Sequence, residues 1–361
     1  MSKGDVWSSD SYDSRRREVV SSGRTVTYEA EKRSQLGLRL DPSVDPKTHG
    51  ATRESVDVLI KQPDGLYLLT HGIALPVKED DDLTGSMGHN IDESFKLLPR
   101  TQKLLVGPGG ILSRYDVHFA TGGIQDVSDR NPYMTSEFER DNLIEGQMGK
   151  MVPERQGGDA TEDYQLAIFF MGERIKSTIW RYGLKGYYFM VGDEIGRDFL
   201  DPNLVKRVFG LNVQETSTEN LVKKVLEKWH VFYLQVDSIP WTTKWWGNLL
   251  GEDRVIKLPT IAMKSEVQAC IIGLTEGVLE LQNLDEYLIT KAKVSSQVAK
   301  TIVNTVSGIQ TRAQADLPNF NQIPLAGTQV VNTEDLYPDT ASADKKISQE
   351  NITGNEINLN L

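Results

Sequence analysis

Asp82-Leu83-Thr84-Gly85-Ser86-Met87-Gly88 decides how this chain is read. A carboxylate and two hydroxyls stand at alternate positions on a segment expected to leave a strand as a turn. Alternate side chains of extended backbone point the same way, so Asp82, Thr84 and Ser86 can converge on one point. Three hard oxygens from one short loop suit an oxygen-preferring divalent cation, Mg²⁺ first and Mn²⁺ or Ca²⁺ by the same chemistry, with waters completing the shell. The competing reading is an ordinary polar Ser/Thr/Gly turn between a strand and a helix.

Two later segments bear on that choice. Gly157-Gly158-Asp159-Ala160-Thr161-Glu162-Asp163 sets a glycine pair and oxygen donors ahead of a helix start. Gly186-Tyr187-Tyr188-Phe189-Met190-Val191 reads as a buried strand that delivers Gly192-Asp193-Glu194. Together with D-x-T-G-S-M, these stretches resemble the metal-binding loops of von Willebrand factor type A domains, in the family's order. Trp246–Ile256 is similar to the end of such domains in bacterial proteins, so the resemblance covers residues 52–282. It implies a Rossmann-like α/β fold, with a mostly parallel central sheet flanked by helices. It also implies a metal-ion-dependent adhesion site: Asp82, Thr84 and Ser86 in the first loop, Asp159 or Thr161 in the second, Asp193 in the third. In that family an open coordination position takes a carboxylate from a partner protein. The resemblance thus implies a non-enzymatic binding module of an uncharacterised bacterial or phage group. Its implied partners are an AAA+ ATPase of the MoxR type or the subunits of an assembly. Glu162 is read instead as a helix N-terminal residue favoured by the dipole.

The 361 residues carry 40 Lys+Arg against 51 Asp+Glu, a net charge of -11. That balance argues against a general binder of nucleic acid or membrane surfaces, which needs clustered basic residues. The single cysteine, Cys270, sits in the apolar run 267–274 and reads as a buried structural thiol. With no disulfide framework, no apolar signal region and no run of membrane-spanning length, the expected compartment is the cytoplasm. The five histidines show no metal-ligand spacing; His89 reads as a helix-start residue.

Residues 1–51, which include Arg15-Arg16-Arg17, read as a flexible N-terminal arm, 283–314 as a helical extension, and 315–361 as a disordered tail. Between the arm and the extension, strands alternate with helices. Strands are expected at 67–77, 117–120, 187–191, 231–236 and 254–258, and helices at 89–105, 163–175 and 267–281. Asp201-Pro202 supplies one helix start, and Thr216 with Glu219 reads as the capping box of another. Trp241, Trp245 and Trp246 are expected to pack a domain edge, and Thr121–Asp129 reads as a polar surface loop.

Lys78-Glu79-Asp80-Asp81 interrupts the pattern, because a buried parallel strand is not expected to carry four consecutive charges. Either the strand ends at Val77 or part of the run projects into the metal cleft. The run also opens a rival reading. Asp80-Asp81-Asp82-Leu83-Thr84 resembles the D-x-D-x-T of haloacid-dehalogenase-like phosphohydrolases, which would make Asp80 the nucleophile and Asp82 the acid/base, with Lys176 or Lys185 neutralising charge. A third reading is a structural assembly subunit with a vestigial metal loop.

Overall fold

The computed structural model describes residues 37, 39–107, 109–154, 161–237, 239–309 and 323–330. Its central sheet has six strands: β1 (Ala74–Asp82), β2 (Asp116–Ile124), β3 (Tyr133–Thr135), β4 (Gly186–Gly192), β5 (Trp229–Gln235) and β6 (Val255–Lys257). They lie in the spatial order 3-2-1-4-5-6. Every neighbouring pair is parallel except β2 and β3. This is a doubly wound, Rossmann-like α/β sheet. The order reverses between β1 and β4, and such a reversal leaves a crevice at the carboxyl ends of those two strands.

The helices are α1 (Asn90–Val106), α2 (Leu143–Met148), α3 (Tyr164–Glu173), α4 (Pro202–Phe209), α5 (Thr218–Lys228), α6 (Pro240–Leu250), α7 (Lys264–Thr275), α8 (Leu284–Thr290) and α9 (Ser296–Val306). Helices α1, α7 and α9 bury Phe95, Ile271 and Ile302 against Val77, Phe189 and Phe232 of the sheet. Helices α3 to α6 bury Leu166, Val205, Leu221 and Trp246 against Met190, Val231 and Tyr233 on the other face. Adjacent residues such as Phe189 and Met190 therefore serve opposite cores, as the two-residue period of a strand requires. Asp201 caps α4 by accepting from the Asn203 amide, with Pro202 in the first turn. The cap of α5 is Ser217, one residue beyond the expected Thr216.

The largest departure from the sequence reading is β1. It neither ends at Val77 nor projects its charges into the cleft: it runs through Asp82 with all nine residues buried. Lys78, Glu79 and Asp80 find partners across the faces of the sheet, and Asp81 does so through one oxygen, its Oδ2 being buried without a hydrogen-bond partner among the described residues. Toward α3, Lys78 binds one oxygen of Asp80, whose other oxygen accepts from the Tyr188 (2.9 Å) and Tyr133 (3.2 Å) hydroxyls. Toward α1 and α7, Lys264 binds Glu79 and the Ser94 carbonyl, the Gln268 amide donates to Glu79, and the Ser94 hydroxyl donates to Asp81. Burial lowers the pKa of Lys78 and raises that of Asp81 well above the usual carboxylate range.

Space for these groups comes from β2. A Cβ at Gly122 would land on Asp80 and Lys78, and one at Gly123 on Leu83. The Thr121–Asp129 stretch is consequently not a surface loop. Thr121–Ile124 completes β2, and Gln125, Asp126 and Asp129 are buried, although Val127 and Ser128 are exposed.

Composition also misplaced several flanking segments. Residues 39–51, read with the flexible arm, pack on the domain through the fully buried Val44 and Ala51. The expected helical extension does hold helices, α8 and α9, separated by Lys293 in the left-handed region (φ 59). Within the tail, Ile323 is buried and Gln329 pairs with Leu68 in a short antiparallel ladder. Trp246 is buried as expected, stacked 4.4 Å from Tyr233, whereas Trp241 is exposed. The Arg15–Arg17 run, residues 310–314 and most of the tail lie outside the described residues. Among the described residues no helix is long and apolar enough to cross a membrane.

Replacing Lys264 by Met is expected to lower the unfolding free energy by about 3–5 kcal/mol in a urea titration. It would leave Glu79 and Asp81 buried without their cation. A loss below about 1 kcal/mol would contradict the charge matching described for β1.

Candidate metal centre

The crevice between the carboxyl ends of β1 and β4 holds a continuous chain of oxygens. Asp82 closes β1, and Asp193 follows Gly192, the last residue of β4. Asp82 Oδ1 accepts from the Thr84 amide (2.9 Å) and hydroxyl (2.6 Å). Thr84 Oγ1 lies 3.3 Å from Ser86 Oγ, and the Ser86 hydroxyl donates to Asp193 Oδ1 at 3.0 Å. A 3-10 turn at Gly85–Met87 brings Ser86 round, and Gly88 leaves it at φ 50, a region strained for residues with a side chain. The second oxygen of Asp82 accepts from Tyr164 of α3 at 2.9 Å. Gly192 makes that bond possible, since a Cβ there would land on the Tyr164 hydroxyl. Trp246 holds the Tyr164 ring edge-on at 5.1 Å.

Oxygens at adjacent corners of an Mg²⁺ octahedron stand about 3 Å apart, given metal–oxygen distances of about 2.0–2.1 Å. The chain from Asp82 to Asp193 has that spacing. Its electrostatics fit a cation as well. Burial, and then the charge of Asp193, push the Asp82 carboxyl up to about 7. Burial, followed by the charges of Asp82 and Asp126, pushes Glu162 up to about 10. Asp193 is also raised, chiefly by burial. Glu162 Oε2 is buried without a hydrogen-bond partner among the described residues. These carboxyls crowd one another, and a divalent ion would relieve them. Among the described residues no three His, Cys, Asp or Glu side chains form a metal cage. The ion would therefore depend on the Thr84 and Ser86 hydroxyls and on water.

Of the six residues expected at the metal, Asp82, Thr84, Ser86 and Asp193 come together. Asp159 lies outside the described residues. Thr161 is half-buried opposite Ile195 in a short parallel ladder, and its carbonyl accepts from Arg197 at 3.2 Å. Its neighbour Glu162 is not a helix N-terminal residue: it belongs to that ladder, and α3 starts at Tyr164. Asp126 and Asp163 are bridged by Arg197 at 2.8 and 3.1 Å. Asp129 accepts from the Asp126 amide, so this pair braces the rim. His89 precedes α1, as expected.

The phosphohydrolase reading meets a physical obstacle. Asp80 is wholly buried, with both oxygens engaged by Lys78, Tyr133 and Tyr188, so it is neither exposed to a substrate nor free of protein partners. Lys185 precedes the first residue of β4, at the far end of the sheet, and Lys176 pairs with Glu54 at 3.1 Å. The sequence reading placed Gly192 in the third loop without the clearance it gives Tyr164, and it missed the roles of Tyr164 and Arg197. Only Arg197, a lone cation four residues past Asp193, left a signal there.

No family model matches the sequence, and no curated protein matches it either. Among solved structures it is similar to the pilus adhesin SpaC from Lactobacillus rhamnosus GG in its open conformation, at 14% identity over 60% of this chain and 33% of that one, TM-score 0.39. It is also similar to proximal thread matrix protein 1 from the mussel byssus, in a form with a zinc-occupied MIDAS motif, at 10% identity over 56% and 48%, TM-score 0.37. A third is a von Willebrand factor type A protein from Catenulispora acidiphila, at 11% identity over 62% and 48%, TM-score 0.32. The chain thus spans between a third and a half of the length of these proteins.

Because the folded pKa of Asp82, about 7, lies above its ordinary value of 3.8, the folded state keeps a proton that the unfolded state releases between those values. Stability without metal should therefore fall as pH rises through that window. Thermal melts in EDTA should show a declining melting temperature from about pH 4 to about pH 7, and Mg²⁺ should restore it at the upper end. A profile flat in EDTA and indifferent to Mg²⁺ would contradict this assignment.

Proposed function

We propose that this chain binds a protein partner through a divalent cation held by Asp82, Thr84, Ser86 and Asp193, with a partner carboxylate completing the coordination. The observation that carries this reading is the Asp82–Thr84–Ser86–Asp193 oxygen chain at the strand-order reversal. Mg²⁺ is the ion these donors favour, with Mn²⁺ and Ca²⁺ next. When bound, it supplies an electrophilic point that an outside anion can occupy. Two of the four donors are neutral hydroxyls, which leaves the ion under-neutralised and receptive to another carboxylate. Tyr164 fixes the orientation of Asp82, and Arg197 holds Asp126 and Asp163 clear of the ion.

The surroundings support binding without turnover. Trp241, 60% exposed at the start of α6, and Phe199, 57% exposed beyond β4, both follow strand ends on the metal's edge of the sheet. Exposed aromatics beside a charged centre are the residue types that dominate interface energetics. The partner would present a carboxylate side chain to the ion, and an AAA+ ATPase or an assembly subunit is the kind the type A resemblance implies. In the same reading, the protein is cytoplasmic and of the bacterial or phage group.

Isothermal titration with Mg²⁺ and Mn²⁺ should give one site per chain, weakened at least tenfold in Ser86→Ala and Asp193→Ala with unchanged far-UV spectra. Cation binding unaffected by both substitutions would overturn the proposal. With a partner in hand, its capture should be lost in EDTA and regained with Mg²⁺. Trp241→Ala should leave cation affinity intact while weakening partner binding by about 2 kcal/mol.

A further inference from the structure

A second recess lies apart from the metal crevice. Its volume is about 420 Å³, and Arg39, Lys47, Arg130 and Arg207 line it, with Asp45 the one acidic residue in its described wall. The chain as a whole carries a net charge of -11, so cations converging from three separated segments run against its average. Backbone contacts place two of the guanidinium groups. Arg130 Nη2 donates to the Gly37 carbonyl at 2.8 Å, and Arg207 Nη2 to the Val127 carbonyl at 2.6 Å. The Lys47 amide is tied to Asp45 Oδ1 at 2.9 Å, which engages that carboxylate within its own turn. Glu154, beside this wall, accepts from the amides of Arg130 (3.0 Å) and Asn131 (2.9 Å). All four cationic residues are exposed. A guanidinium has five N–H donors, so an anchoring bond to a carbonyl does not exhaust it.

We propose that this recess binds a phosphate-bearing small molecule. Three guanidinium forks and one ammonium match an oxyanion with several oxygens and more than one negative charge. A single carboxylate would leave most of them unmatched. Leu40 and Val208 supply an apolar wall for an organic portion, and the volume falls within the range of small-ligand sites. The recess is separate from the candidate metal donors, although the 125–132 segment serves both regions. Asp126 binds Arg197 near the metal crevice, while Arg130 and Pro132 line the recess.

The test is isothermal titration of the full chain with inorganic diphosphate and with a nucleoside diphosphate. Both are run in EDTA, so that chelated Mg²⁺ does not report on the other site. Saturable one-to-one binding of at least one of them is expected, weakened at least tenfold by combined Arg39→Gln and Arg207→Gln and by Lys47→Gln with Arg207→Gln. Ser86→Ala should bind as the wild type does. Tighter binding of the nucleotide would place its organic part on the Leu40 wall, and equal binding would assign the site to phosphate groups alone. Absence of saturable binding by both compounds would overturn the proposal. So would binding that both double variants leave unchanged while their melting temperatures match the wild type.

Discussion

Lys78, Glu79, Asp80, Asp81 and Asp82 stand side by side in the central strand, inside the sheet, and the surrounding structure is arranged to neutralise them. Each charge left unmatched there would cost several kcal/mol. The strand period divides the task between two faces. Lys78 and three tyrosine hydroxyls serve Asp80 and Asp82 on one; Lys264, Gln268 and Ser94 serve Glu79 and Asp81 on the other. Glycines at 122 and 192 leave the room that these side chains fill. Helices α1, α3 and α7 thus contribute specific polar partners to β1 in addition to apolar area.

Asp82 is where this buried row reaches the crevice. Its position at the reversal of strand order, opposite Asp193, places it where open α/β sheets bind ligands. Both of its own oxygens are engaged from behind, Tyr164 on one and Thr84 on the other. In front, Glu162 and Asp193 add further carboxyls that burial holds above their usual range. A row of matched charges therefore ends in a cluster with an excess of acid, and that excess is the physical basis for expecting a cation.

Much of this was legible in the residues. The apolar runs of β4 and β5 and the helical spacing of Ile91, Phe95 and Leu98 in α1 required only periodicity. The alternation of Asp82, Thr84 and Ser86 announced a convergent loop, whereas Asp193 was legible only through the resemblance to type A domains. What escaped was burial of charge. A periodicity reading ends the strand at Val77 or sends the run into the cleft, since Lys264 and Gln268, the partners of Glu79, lie over 180 residues away in sequence. The same blindness turned Gly122-Gly123 into a loop, although those glycines make room beside the acidic strand. Glu162 was assigned to a helix because nothing local announces the two-residue ladder to Ile195 and Gly196 that holds it.

The most direct measurement is anomalous scattering from crystals grown with Mn²⁺. A single strong peak is expected between the Thr84 and Ser86 hydroxyls and the Asp193 carboxylate, at about 2.0–2.3 Å from the oxygens that bind it directly. A well-ordered crevice with no peak, or a peak that these oxygens do not approach, would contradict the account.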